Sequence, residues 1–169
     1  MKKGWNITEK VIATLLQAWA LFYLYLLTAG INTKLNFGLQ VGQIKKEDIS
    51  FWELFKIFHF NYIAGVFCFL AGLGLLYDKK TGWIASLISS LVFAGFLLTS
   101  GRNGVTKSNN PHLATSISYI VVAIAFAAIF LVLVLKPFRQ KYKPTTANWL
   151  VVLGAVILAV IDTSVLGGM

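Results

Sequence analysis

About five stretches of this chain are almost wholly apolar, and each is close to the length that crosses a bilayer. They run over residues 11–29, 60–77, 83–100, 113–135 and 149–166. An α-helix of about 20 apolar residues covers the roughly 30 Å of hydrocarbon. Inside that layer the backbone N–H and C=O groups find no water, so a crossing segment must pair them internally, as a helix does. The expected fold is therefore all-α, a polytopic transmembrane helix bundle of about five spans. Composition agrees, with 57% hydrophobic and 12% charged residues. In 169 residues the spans and their connections leave room for one transmembrane domain and no separate soluble catalytic domain.

The net charge of +9 would suggest nucleic acid in a soluble protein, but here the Lys and Arg residues sit between the apolar runs. That is where lipid headgroups attract cations and where topology is set. The partner this implies is the lipid bilayer, not a nucleic acid. With a cytoplasmic N-terminus, the inner side holds Lys2, Lys3, Lys10, Lys79, Lys80, Lys136, Arg139, Lys141 and Lys143. The outer side then holds Lys34, Lys45, Lys46, Lys56, Arg102 and Lys107. This bias favours N-terminus in and C-terminus out, and the compact, Lys-rich loops suit a bacterial inner membrane. The first apolar run, residues 11–31, is too long for the roughly 7–15-residue core of a cleaved signal, and reads as a retained span. Cys68 is the single cysteine, so no intrachain disulfide or cysteine-rich metal site can form.

The helix breakers fall between the runs. Pro111, Pro137 and Pro144 all lie in connections, and Lys136-Pro137 should end span four. Asp78-Lys79-Lys80-Thr81-Gly82 is short enough to make spans two and three an antiparallel hairpin. Gly101-Arg102-Asn103-Gly104 reads as a turn after span three. In the long connection from Asn32 to His59, Ser50 and Glu53 fit a capping box, and Phe51, Phe55 and Phe58 follow helical spacing. A short interfacial amphipathic helix over residues 50–58 is expected before span two.

Small residues recur at spacings of four in Ala64-Cys68-Gly72, Ala123-Ala127 and Ala155-Ala159, a pattern that lets helix backbones approach closely. It suits packing within the bundle and also an interface in an oligomer. Thr14, Gln17, Tyr25 and Thr28 form a polar stripe on span one that should face other helices. Ser86, Ser89 and Ser90 read as packing groups in span three.

Few residues inside the spans can carry chemistry. Asp162, in span five, is the one acidic group there and shares a face with Ala155 and Ala159. His59 and His112 stand at the starts of spans two and four, and Arg102 follows span three. The topology places all four toward one leaflet. Such a set could bind a quinone or a lipid headgroup, with histidine exchanging the proton, or a divalent metal. Polar residues gather at span ends in any membrane protein, so the shared level is also what plain solvation would give. No HExxH, Walker A or GxGxxG pattern occurs, and no catalytic set or particular cofactor is implied.

Leu27-Thr28-Ala29-Gly30-Ile31-Asn32-Thr33-Lys34-Leu35, followed by the glycine-rich stretch from Gly65 to Leu76, a short basic turn and another span, resembles the DoxX/DoxD-like family of small four-helix membrane proteins. The glycine-to-lysine spacing is one residue longer than that family's pattern, and the fifth span lies outside its unit. The resemblance implies a bacterial inner-membrane protein, in some members associated with redox or sulfur-oxidation systems. The first functional expectation is a non-catalytic subunit, assembly factor or sensor with a protein partner or as a homo-oligomer. The alternatives are a membrane-embedded quinone-, lipid- or metal-binding protein linked to redox chemistry, and a small ion or solute transporter.

Overall fold

In the computed structural model, residues 3–42, 51–105 and 113–165 are described. Among them are six helices and no strands: α1 (Lys3–Gln40), α2 (Phe51–Leu76), α3 (Lys80–Val105), α4 (Leu113–Val134), α5 (Lys136–Tyr142) and α6 (Thr146–Val165). The first four are long and apolar enough to cross a membrane. The pair α5 and α6, bent by 111°, supplies up to a fifth crossing, with the short α5 lying across the end of the bundle. The fold is the expected all-α transmembrane bundle.

The helices run further than the apolar runs. α1 has 38 residues and is about 57 Å long, so residues 31–40 continue well past a crossing that begins near residue 11. The helix needs no apolar pattern to propagate there, because no proline interrupts it. Residues 51–58 are helical as expected, but they form the first turns of α2 and pass into the span without a break. Ser50 of the capping box lies outside the described residues. Residues 101–104 are also helical, because α3 continues to Val105. Gly101 is there to let α4 approach, since a Cβ on it would lie 2.8 Å from the Ser116 carbonyl oxygen.

α3 is the central helix, packed against α2, α4 and α6, with α1 against α2. The α2–α3 hairpin is tighter than the spacing suggests. Only residues 77–79 connect the helices, and Asp78 takes a left-handed φ of 54°. A Cβ on Gly82 would come within 2.1 Å of the Gly74 carbonyl carbon, so both positions must lack a side chain. The small-residue face of α2 packs inside the molecule: Cys68 Sγ donates to the Leu16 carbonyl at 3.5 Å, and Gly72 lies against the Ala13 carbonyl. An aromatic cluster of half-buried Trp19 and Tyr23 with buried Phe93 and Phe126 joins α1, α3 and α4.

The polar stripe on α1 corrects the expectation made for it. Thr14, Tyr25 and Thr28 are exposed; Gln17 is turned toward Gly72 of α2, and the Thr28 hydroxyl lies 3.3 Å from the Tyr62 hydroxyl of the same helix. Both threonine hydroxyls are satisfied within α1, Thr14 donating to the Lys10 carbonyl at 2.9 Å and Thr28 to that of Leu24 at 2.8 Å, so Thr14 needs no neighbouring helix. Ser86 does pack between helices, its hydroxyl donating to the Gly82 carbonyl at 2.8 Å and lying 3.3 Å from that of Ala71 in α2.

Candidate functional site

The antiparallel helices bring the start of α2, the end of α3 and the end of α6 to one end of the bundle. His59, two turns into α2, meets Asp162 of α6 there, with Nε2 3.4 Å from Oδ1. The side chains are 21% and 30% exposed, so the pair is half-buried at the rim of the bundle. With the proton on Nε2, the imidazole donates to the carboxylate across this long, weak hydrogen bond. Arg102 lies in the last turn of α3 at the same end and is exposed. His112 lies outside the described residues.

Directly inward of this pair, α6 packs loosely against α3 and leaves a groove. Its outer part is a cavity of about 470 Å3 between Phe60 of α2, Gly95, Phe96 and Ser100 of α3, and Val156 and Ala159 of α6. A second cavity of about 190 Å3 adjoins it deeper in, sharing Phe60, Val92 and Ala159 and reaching Ala64, Ser89 and Ala155. The volume is in the range of small-ligand pockets, about 300–1,000 Å3. The residues that make the space are small. Ala155 and Ala159 present no bulk, and nothing lies within 4 Å of where a Cβ on Gly95 would be. Phe60 and Phe96, with centroids 6.4 Å apart, frame the mouth. The walls are otherwise apolar except for Thr99 and Ser100 near the mouth and Ser89 at the inner end. The Ser89 hydroxyl is buried there, beside the Cys68 thiol. The result is a largely apolar slot whose lining residues Phe60 and Val160 adjoin the His59–Asp162 pair along the chain.

Sequence reasoning missed a second polar centre at the opposite end. Glu9 of α1 is 1% exposed and accepts from both Lys141 Nζ and the Tyr142 hydroxyl of α5. Lys141 also donates to Asp78 in the α2–α3 turn. Burial disfavours the charge on Lys141, but the hydrogen bonds and charges of Asp78 and Glu9 outweigh it and raise its pKa above the ordinary lysine value. Trp83 stacks on Tyr142 with centroids 5.7 Å apart and donates Nε1–H to the Leu133 carbonyl at 3.0 Å. Together these contacts lock α5 under α1 and α3. Glu9 precedes the apolar run, where a carboxylate ordinarily stays in water. The signal that could have found it is Glu9 lying one turn from Trp5 and Ile12 on a face that the structure buries.

Among the described residues no three His, Cys, Asp or Glu side chains come together in a way that could hold a metal ion. Comparison with known proteins finds no matching family model, no matching curated protein and no matching solved structure.

Proposed function

We propose that the chain is a membrane-embedded binding protein for an amphipathic ligand, and that an isoprenoid quinone is the class its site suits best. One observation carries this reading: the His59–Asp162 pair joins α2 and α6 next to Phe60 and Val160, which line the largely apolar groove between α2, α3 and α6. A quinone needs a slot for its apolar tail, a hydrogen-bond donor at its carbonyl, and a group that exchanges a proton when it is reduced. Histidine titrates near neutrality, and an adjacent carboxylate orients it and stabilises its charged form. With the α5 end cytoplasmic, as the Lys and Arg count favours, the groove opens in the outer leaflet. The resemblance to the DoxX/DoxD-like family, some of whose members accompany redox systems, supports the same ligand class.

The test is titration of the detergent-solubilised protein with a short-tailed quinone analogue, followed by native mass spectrometry. The wild type should bind one molecule per chain. His59→Ala should weaken binding by about tenfold or more, the worth of one hydrogen bond to a charged group, and Asp162→Asn by less. Wild-type binding by both variants, or no binding by the wild type, would end the quinone reading.

A second reading, a component that works through a protein partner, has its own support. Phe37 and Trp52 are exposed on the parts of α1 and α2 that reach beyond the apolar runs. Aromatic side chains in such a place suit a partner surface as well as the headgroup layer. Copurification of a stoichiometric partner that is lost on Phe37→Ser would support this reading. A monodisperse chain that crosslinks to nothing in its native membrane would count against it.

A further inference from the structure

The turn from α4 into α6 gathers cations that the rest of the fold does not use. Leu135 is extended, with ψ of 154°, Pro137 lies in the first turn of α5, and Lys143 closes that helix in a left-handed conformation. Lys141 turns inward to Glu9 and Asp78. Lys136, Arg139 and Lys143 remain exposed, and among the described residues none of them pairs with a carboxylate. The three line one cavity of about 410 Å3 with Gln140, Pro144 and Trp149. Three positive charges facing a shared concavity repel one another, so an anion between them is favoured. The cavity also lies at a defined depth. The apolar run of α4 ends at Leu135 just before it, and that of α6 begins at Trp149 just after it. Leu131 near the end of α4, Leu135 in the connection and Leu150 in the first turns of α6 are exposed, an apolar surface of the kind acyl chains cover.

We propose that this elbow binds the headgroup phosphate of one anionic phospholipid. The Arg139 guanidinium offers a planar fork to the phosphate oxygens, and Lys136 and Lys143 add point charges. Trp149 supplies the interfacial ring that belongs at headgroup depth. A basic pocket where helices leave the membrane is a place where anionic headgroups are held. A zwitterionic lipid brings its own cation into the same three-charge field and is disfavoured. Inorganic phosphate has the charge but lacks the chains.

The experiment is native mass spectrometry of the whole chain in mild detergent, titrated with phosphatidylglycerol, with phosphatidylcholine of the same chains, and with inorganic phosphate. The expected result is one phosphatidylglycerol retained about tenfold or more tightly than phosphatidylcholine, and not displaced by excess inorganic phosphate. The double substitution Lys136→Gln with Arg139→Gln should abolish the preference. Lys10→Gln with Lys79→Gln removes equal charge from exposed sites at the same end and should leave the preference intact. Equal retention of the two lipids overturns the proposal. So does displacement by phosphate, or equal loss in the control pair. Should the elbow variant fail to fold, a photoactivatable phosphatidylglycerol on the wild type decides. Labelling within residues 131–150 supports the site, and labelling elsewhere refutes it.

Discussion

Replacing Glu9 by alanine would unclasp α5 from the bundle, and the structure sets the size of the effect. The Tyr142 hydroxyl, on a residue 5% exposed, would lose its acceptor. A buried polar group left unpaired costs about 1–3 kcal/mol. Lys141 would keep Asp78, and its side chain is 21% exposed, so its loss should be near the roughly 1 kcal/mol of a partly solvated pair. The 3–5 kcal/mol of a sealed buried pair would be too much for it. The sum is about 2–4 kcal/mol, or roughly 4–16 °C in Tm for a chain of this length. Thermal unfolding followed by circular dichroism in one fixed detergent measures it. Tyr142→Phe should cost only about 1 kcal/mol, because Glu9 keeps Lys141. Glu9→Gln combined with Lys141→Met should be less destabilised than the two single changes added together, since no buried charge is orphaned and Asp78, 67% exposed, stays solvated. A Glu9→Ala protein that melts with the wild type, or strict additivity in the cycle, would refute the clasp.

Further expectations can be read in the same assay. Gly82→Ala drives a Cβ into the Gly74 backbone and should destabilise the hairpin by several times the roughly 1 kcal/mol it gains in helix propensity. Gly95→Ala meets open space and should be neutral or slightly stabilising; equal melting of the two variants would contradict the close approach of α2 and α3. Trp83→Phe frees the Leu133 carbonyl at the end of α4 and should cost about 1–3 kcal/mol, and an unchanged Tm would argue against that bond. Because the pKa of Lys141 is raised in the folded chain, its stabilising contribution is complete below the ordinary lysine value of 10.5 and is lost as pH climbs past it. The Tm difference between wild type and Lys141→Met should therefore be flat through neutral pH and shrink only in strong base. A difference that shrinks on going from neutral to mildly alkaline pH would contradict this.

The fold was legible because hydrocarbon imposes a single rule, the internally bonded helix, on every long apolar run. Pro137 marked the break after α4 for an equally local reason. Helix ends were less legible. Residues 31–40 and 101–105 carry polar and glycine residues that read as connections, yet backbone bonding continues through them. The hairpin was visible in Asp78-Lys79-Lys80, but its tightness depends on Gly74 meeting Gly82 across two helices. Of the candidate site, His59 and Asp162 could be placed at one end from topology alone. Their approach to 3.4 Å depends on the rotation of α2 and α6, which the sequence pattern does not specify. The groove depends on Gly95, Ala155 and Ala159 facing one another, and the spacing of small residues signals close packing as readily as a cavity. Glu9 was illegible because a carboxylate just ahead of an apolar run ordinarily stays in water. Only α5, folding back under α1, encloses it.

The central claim is that the groove between α2, α3 and α6 holds an amphipathic ligand, and Gly95 gives direct access to it. A Cβ at Gly95 would meet nothing within 4 Å, so Gly95→Leu should extend its side chain into the cavity and leave the His59–Asp162 pair in place. The measurement is native mass spectrometry with lipid extraction, performed on gently solubilised wild type and Gly95→Leu side by side. The account predicts one quinone or similar amphipathic molecule per wild-type chain, and its loss from a Gly95→Leu protein that melts at or above the wild-type temperature. The same molecule retained by both proteins, or carried by neither, would contradict it.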